Sequence, residues 1–589
     1  MKNNNSNLKN SEIGKNVEED KQKNSTGESI KKNEEIKLTV GQQKDNTREK
    51  QTDKENIIKT SVVEKPLKYD NSDSKEDSKS AKGEEKTSEQ QKQSIDNPLE
   101  NKLLKEDQST ELNKQKNILN AEKNDDNDIS SPLGKIVARQ RKFFETNKTL
   151  DVNFRLLQLK RLRLQIKAYY DQICSAFRQD LNKLEFDVVL TELGIVMKEL
   201  NYTISNLIRL AKPKKVRTSL ANFPSKGYVL RDPYGVVMIA SPWNYPLQLT
   251  LVPLIGAIAG GNTAIVKPSR NTPNITKVIK KMLSIFDEDY VYIVTNEEEI
   301  SDIFDTKFDF IFYTGSPKKA REIAEKQAKY LTPMILELGG KSPCIVDKDA
   351  NIDLSAKRVV WGKFLNAGQT CVAPDYVLVH SEIKDKFVES AKKWIGKFYY
   401  EHHLDAQKEE FLPTFVKIVK KSDVVRLQNL MKEGVVECGG KAHGQVIEPT
   451  LLTGIDWDNK IMQEEVFGPI MPVLTFDDLD DVIRKFRSID KPLALYYFGK
   501  DKEAIEKVKT QIAFGGGCIN DTIMHFTEEK LPFGGVGQSG MGNYHGARTF
   551  YAFTREKSVL DKGLWFDLTL RYPQATKGKI RFAKTYFKI

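Results

Sequence analysis

The stretch FDFIFYTGSPKKAREIAEKQAKY, Phe308 to Tyr330, decides the fold. Its first part is a short apolar run rich in aromatic and β-branched residues, the pattern of a buried strand. Its second part carries charged residues at helical spacing. Between them, Gly315 permits a tight turn, Ser316 is placed to cap, Pro317 suits the first helical position, and Ala320 is small enough to pack on a sheet. A helix opening directly from a strand presents free N–H groups that attract an anion, and a pyrophosphate fits there. By itself the turn is weak evidence, because any strand-to-helix junction resembles it. It also lacks GxGxxG, which disfavours an ordinary Rossmann dehydrogenase.

Working outward, the same alternation repeats. TAIVKPS (Thr263 to Ser269) reads as a short buried strand. Thr272 and Pro273 then predict a capped helix, with apolar residues at Ile275, Val278, Ile279, Met282, Leu283 and Phe286 on one face. YVYIV is a further strand. GYVLRDPYGVVMIASPWN reads as two strands joined by an Asp-Pro turn. Strand, helix, strand, helix, strand predicts a doubly wound parallel sheet with a nucleotide at its carboxyl edge. Upstream, Pro132 to about Ala211 is helical in pattern, until KPKK (Lys212 to Lys215) interrupts it.

Composition bounds the rest. The chain has 589 residues and a formal charge of +11. From Met1 to about Ser130, Tyr69 is the only aromatic residue. That leader is too poor in apolar surface to offset its ordering entropy and reads as a disordered polyampholyte. The remainder is too long for one core, so two or more domains are expected. Five cysteines are widely spaced without a CxxC pair, which points to a reducing compartment and away from disulfides or structural zinc. MKNNNSNLKN has no apolar run, and no apolar stretch reaches the ~20 residues of a spanning helix. A cytoplasmic protein is expected, with no nucleic acid as partner. The tail KGKIRFAKTYFKI reads either as a basic surface for membrane or nucleic acid, or as a solvated, partly frayed terminus; the second is favoured. His525 and His545 have no partner at ligand spacing, so no metal is assigned.

NAGQTCVAP, Asn366 to Pro374, surrounds Cys371 with small, polar, turn-forming residues. A free cysteine usually packs as a small hydrophobe. A thiol on an exposed, Gly-led turn is one meant to react. Cys344 lies instead in an apolar strand pattern and reads as structural.

Seven segments, SPWNYP, GGNTAIVKPS, FYTGS, LELGGKSP, GQTCVAP, EEVFGP and LPFGGVGQSGMGNYHG, occur in an order that resembles the aldehyde dehydrogenase superfamily. GKFLNAGQTCVAPDY and SGMGNYHG are most similar to its class 3 branch, which handles fatty and aromatic aldehydes. The likeness runs from about Pro132 to Pro573. It implies an α/β fold: a Rossmann-type NAD(P)-binding domain over 131–338, with a strand arm near 212–235, and a catalytic domain carrying the cysteine over 339–545. A dimerisation arm over 546–575 and a basic tail over 576–589 would follow, with a homodimer as the assembly.

The resemblance also implies residue roles. Cys371 corresponds to the nucleophile, Asn244 to the oxyanion donor and Glu337 to the general base; the interval from Glu337 to Cys371 matches the family's. Gly315 and Ser316 fall at the phosphate turn. Lys267 and Ser269 correspond to residues that hold the adenine ribose, Glu465 to the carboxylate on the nicotinamide ribose, and Phe467 to the ring beside the nicotinamide. Tyr245, Trp361 and Leu365 match the walls of the substrate funnel, although ordinary core packing also explains the last two. Arg270 departs from the class 3 pattern, which often has Glu; it either attracts a 2′-phosphate, so that NADP is tolerated beside NAD, or points to solvent. Two rivals stand beside aldehyde oxidation: a coenzyme-A-dependent or reductive acyl relative, and a non-catalytic scaffold. Glu337 argues against the first and the intact set of Cys371, Asn244 and Glu337 against the second.

Overall fold

A computed structural model describes residues 131–295, 303–401, 414–574 and 576–589. The leader, 1–130, lies outside the described residues. The fold is α/β, organised on two main sheets and one three-stranded antiparallel sheet.

The first sheet has the spatial order Gly540–Met541, Met334–Leu338, Phe310–Gly315, Val236–Ala240, Thr263–Lys267, Val291–Ile293. All pairings are parallel except that of Gly540–Met541, which runs antiparallel to Met334–Leu338 and sets Gly540 opposite Glu337. Strands Val236–Ala240 and Thr263–Lys267 are nearly all buried, as expected for a parallel sheet covered on both faces. The chain enters at Val236 and builds first to one side, then to the other. The order therefore reverses between Val236–Ala240 and Phe310–Gly315, and ligands bind at such a crevice.

The second sheet runs Val435–Cys438, Thr450–Thr453, Ile470–Phe476, Tyr376–His380, Pro343–Val346, Ala494–Phe498, Gly516–Ile519, with only the first strand antiparallel. Cys344 is fully buried in it, as its apolar setting predicts. The third sheet joins Lys214–Val216, Ser225–Pro233 and Thr554–Lys562.

Helix Gln248–Gly260 is buried along its entire length. That explains its lack of an amphipathic pattern, since a helix surrounded by protein has no solvent face to mark. Two of its glycines allow the approach of Phe553: a Cβ on Gly256 would lie 2.5 Å from that ring, and one on Gly260 2.6 Å from its carbonyl oxygen.

Three local readings are corrected. Asp232 and Pro233 do not form a turn; they end strand Ser225–Pro233, and the chain bends at Gly235, whose φ of +136° favours glycine. The flanking strands then enter different sheets. Thr272 does not cap helix Pro273–Leu283. Asp180, from helix Tyr170–Leu181, accepts from the Ile275 N–H at 2.9 Å instead. The tail is not frayed: Lys577–Phe587 is a helix capped by Thr576, with no buried residue. No helix among the described residues is long and apolar enough to cross a membrane.

Candidate active site

Cys371 lies between helix Ile352–Phe364 and strand Tyr376–His380. The turn before it is left-handed at three successive residues, Asn366 (φ 55°), Ala367 (φ 53°) and Gly368 (φ 70°). Non-glycine residues adopt this region at a cost, and only where surrounding contacts impose it. Those contacts are present. The Asn366 amide donates to the carbonyls of Asn244 (3.0 Å) and Gln369 (3.1 Å). The Gln369 amide donates to Asn366 O and Lys417 O, and its oxygen accepts from Val419 N–H. A Cβ on Gly368 would lie 2.2 Å from the Gly468 carbonyl. The expectation of an exposed turn is therefore corrected. Asn366 through Thr370 are buried and Cys371 is half-buried, because the polar turn residues bond inward to protein.

Ten of the twelve singled-out residues line one cavity of about 360 Å³: Asn244, Tyr245, Gly315, Ser316, Glu337, Trp361, Leu365, Cys371, Glu465 and Phe467. The other two, Lys267 and Ser269, line an adjoining cavity of about 470 Å³ with Arg270 and Lys319; Trp243, Thr314, Gly315 and Ser316 border both.

The electrostatics are set by burial. The Cys371 thiol is pushed up to about 12, by burial first and then by the carboxylates of Glu465 and Glu337. Glu337 is 3% exposed, and neither of its carboxylate oxygens has a hydrogen-bond partner. Burial alone raises its carboxyl well above the ordinary range. Asn244 donates one amide N–H to Gln369 O at 3.1 Å. A primary amide has two such donors. Tyr245 is buried, with its hydroxyl 2.6 Å from Thr370 Oγ1.

Glu465 is held by neighbours that composition did not reveal. Arg426 donates to the carbonyls of Glu465 (3.3 Å) and Val466 (2.8 Å), Asp375 accepts from Val466 N–H (2.9 Å), and Lys341 donates to Glu464 O (2.9 Å). This clamp accompanies a left-handed φ of 44° at Phe467, whose ring meets Trp243 edge to face at 5.6 Å. Burial and Asp375 push Glu465 up to about 8, against the Gly340 N–H, Lys341 and Lys363. Gly339 lies against that carboxylate: a Cβ on it would lie 2.4 Å from a Glu465 oxygen and would displace the side chain.

The second cavity has a lining that suits the phosphate-bearing end of a nucleotide. It lies at the reversal of the first sheet, beside the N-terminus of helix Pro317–Ala328, where Ser316 Oγ accepts from Lys319 N–H. Gly315 serves by close approach: a Cβ there would lie 2.3 Å from the Tyr313 hydroxyl. The Thr314 hydroxyl is buried without a partner. Lys267 is half-buried, its ammonium held below its ordinary value by burial and by the charges of Arg270 and Lys319. Such a concentration of cations attracts phosphate. Sequence reasoning missed Trp243, Lys420, Arg426 and Tyr544, which also line the sites; Trp243 and Tyr544 lie inside quoted motifs and could have been read from them, whereas Lys420 and Arg426 lie outside every motif with no pattern of their own.

Residues 110–559 match the aldehyde dehydrogenase family. The chain is 43% identical over 452 residues to 4,4'-diaponeurosporen-aldehyde dehydrogenase of Staphylococcus aureus, spanning 76% of this chain and 97% of that one. It is 38% identical over 456 residues to mouse aldehyde dehydrogenase family 3 member A2, spanning 76% and 93%. Among solved structures, the substrate-bound state of Staphylococcus aureus AldH superimposes with a TM-score of 0.74 at 41% identity, over 78% of this chain and 100% of that one. The chain belongs to the aldehyde dehydrogenase family, on its class 3-like branch, and is an oxidoreductase that oxidises aldehydes with NAD(P).

Proposed function

We propose that this chain oxidises medium- or long-chain aliphatic and aromatic aldehydes to carboxylic acids through a thioester on Cys371. One observation carries the reading: Cys371, Glu337 and Asn244 border a single cavity whose lining is otherwise rich in aromatic and aliphatic side chains. The thiol proton passes to solvent water, and Sγ adds to the carbonyl carbon. The electron pair of the C=O bond moves onto oxygen, where the second Asn244 amide N–H and the Cys371 backbone N–H stabilise it; one such donor is typically worth roughly 10²–10³ in rate. A nicotinamide held beside Glu465 and Phe467 would supply the two-electron acceptor for the hydride. The oxygen re-forms the C=O bond as that hydride departs, leaving a thioester. Glu337 then takes a proton from water, the resulting hydroxide adds to the acyl carbon, and the C–S bond breaks to release the acid and regenerate the thiolate.

For the cofactor, Lys267 and Ser269 are assigned to the adenine ribose, Gly315 and Ser316 to the pyrophosphate, Glu465 to the nicotinamide ribose and Phe467 to the nicotinamide face. The domain bounds follow the sequence reading, 131–338 and 339–545. The sheet formed by the mostly half-buried Ser225–Pro233 and the largely exposed Thr554–Lys562 serves as the arm of a homodimer in the cytoplasm.

Tyr245, Trp361 and Leu365 favour apolar substrates. Steady-state assay of NAD(P)H formation should give hexanal and benzaldehyde a kcat/KM at least tenfold above glyceraldehyde 3-phosphate; the reverse order would refute the funnel assignment. Arg270 borders the adenosine cavity with Lys319, a pair of cations suited to a 2′-phosphate. Arg270→Ser should raise the Kd for NADP by roughly tenfold while moving that for NAD less than twofold, one good charged contact being lost. Equal changes for both nucleotides would mean that Arg270 does not read the phosphate.

A further inference from the structure

Beneath the substrate side of the cavity lies an ion pair that the reaction does not use. Lys183 and Glu192 are 1% and 0% exposed, with Nζ and Oε1 3.4 Å apart. Lys183 also donates to Thr191 Oγ1 at 3.3 Å. Burying two charges is costly, and apolar replacements are often as stable, so stability alone does not account for such a pair. Its other contacts show what it adjoins. Lys183 Nζ stands 4.5 Å from the centroid of the Tyr245 ring, within cation–π range. The far end of that ring is the hydroxyl 2.6 Å from Thr370 Oγ1, one residue before Cys371. Glu192 Oε2 accepts from Gln248 N–H at 2.8 Å, at the start of the buried helix Gln248–Gly260.

The loop carrying Asn244 and Tyr245 is thereby gripped on both sides. One grip is the cation over the Tyr245 ring, and the other is the carboxylate on the helix that follows. Glu192 itself sits on a π-helical turn, Val189–Leu193, whose Leu190 and Thr191 line the substrate cavity. Single π-turns are frequent at functional sites because the extra residue re-aims the side chains around it.

We propose that Lys183 and Glu192 form a positioning pair that registers the Asn244–Tyr245 loop against Cys371 through the Tyr245–Thr370 hydrogen bond. The pair thus sets how well the oxyanion donor meets the carbonyl oxygen. This rests on the assignment of Cys371 and Asn244 above. The pair contacts neither substrate nor nucleotide, and its effect belongs to acylation rather than to cofactor affinity.

The test uses the full chain and hexanal, with rapid-mixing measurement of the first turnover of NAD(P)H. Lys183→Met with Glu192→Gln removes both charges together and leaves an oxygen for the Gln248 N–H. The first-turnover rate should fall by roughly 10- to 100-fold, the effect of a slight misplacement of reacting groups, with nucleotide Kd unchanged within twofold. Thr370→Val keeps both charges and breaks the 2.6 Å link to Tyr245, losing besides it only the longer 3.4 Å bond from Thr370 Oγ1 to Leu365 O; by itself it should produce most of the same slowing. Because both routes pass through one bond, the triple variant should be less than about twofold slower than the double. A wild-type first-turnover rate in a folded double variant would overturn the proposal, as would independent multiplication of the two effects. If the double variant does not fold, Thr370→Val decides alone, and a wild-type rate there overturns it. The assignment beneath the proposal fails separately, if the acyl group in the wild-type enzyme is found on an atom other than Cys371 Sγ.

Discussion

Cys371→Ala is expected to abolish aldehyde oxidation, with kcat falling by at least roughly 10⁴-fold, the scale seen when a covalent nucleophile is removed. Nucleotide affinity should hold within a few-fold, because the alanine retains the backbone and Glu465 keeps its clamp. Intact-protein mass spectrometry of the wild-type chain quenched during turnover should find the acyl mass on the Cys371 peptide. A variant turning over at the wild-type rate, or an adduct confined to another cysteine, would remove the basis of the mechanism. The resting thiol also has a pH signature. Pushed up to about 12, it is neutral at pH 7, so iodoacetamide should alkylate it slowly there and faster as pH rises.

Glu337→Gln should separate the two halves of the reaction. The first equivalent of NAD(P)H should form at close to the wild-type rate, and steady-state turnover should then drop by roughly 10²–10⁴-fold, the usual contribution of general base catalysis. The thioester on Cys371 should accumulate. Burial raises the Glu337 carboxyl well above its ordinary range, so the ionised base is present only on the alkaline side of that raised value. Hydrolysis in the wild type should therefore increase with pH along a limb that the glutamine variant lacks. Stability runs the other way. Between the ordinary value and the raised one the folded chain holds a proton that the unfolded chain has lost, so wild-type stability decreases as pH rises through that window. Glutamine carries no such proton, and denaturant titrations at pH 6 and pH 9 should show a smaller decline for the variant. Equal slopes, or steady-state turnover unaffected by the substitution, would count against Glu337 as the base.

The parts of the molecule legible in the sequence were those whose cause is local. The capping Ser316, the buried strand around Cys344 and the alternation of strands and helices depend on neighbours a few residues away, and the structure has them. What escaped depends on partners far along the chain. Thr272 satisfies every local criterion for a cap, yet the helix after it is bonded by Asp180, roughly ninety residues earlier, and no short window records that. Polar residues around Cys371 suggested exposure because composition cannot distinguish a hydroxyl or amide facing water from one facing a carbonyl. Most of the residues assigned to the cavities were named through family likeness, while Arg426, which helps fix Glu465 from behind, lies outside every quoted motif, and Lys341 and Asp375 lie inside two of them with nothing local to show that they reach the Glu464–Val466 backbone. The pair Lys183–Glu192 looked like two more charges in a helical region rich in them.

The short strand Gly540–Met541 gives the first sheet an unusual dependence on chain order. It covers the flank of Met334–Leu338, the strand bearing Glu337, and supplies its antiparallel neighbour. During synthesis some two hundred residues must emerge after Glu337 before that flank can be closed, and until then an unpaired strand edge stands open to other chains. A ribosome that stalls within the later part of the message thus releases a product whose first sheet is incomplete at that edge and open to association or to capture by a chaperone.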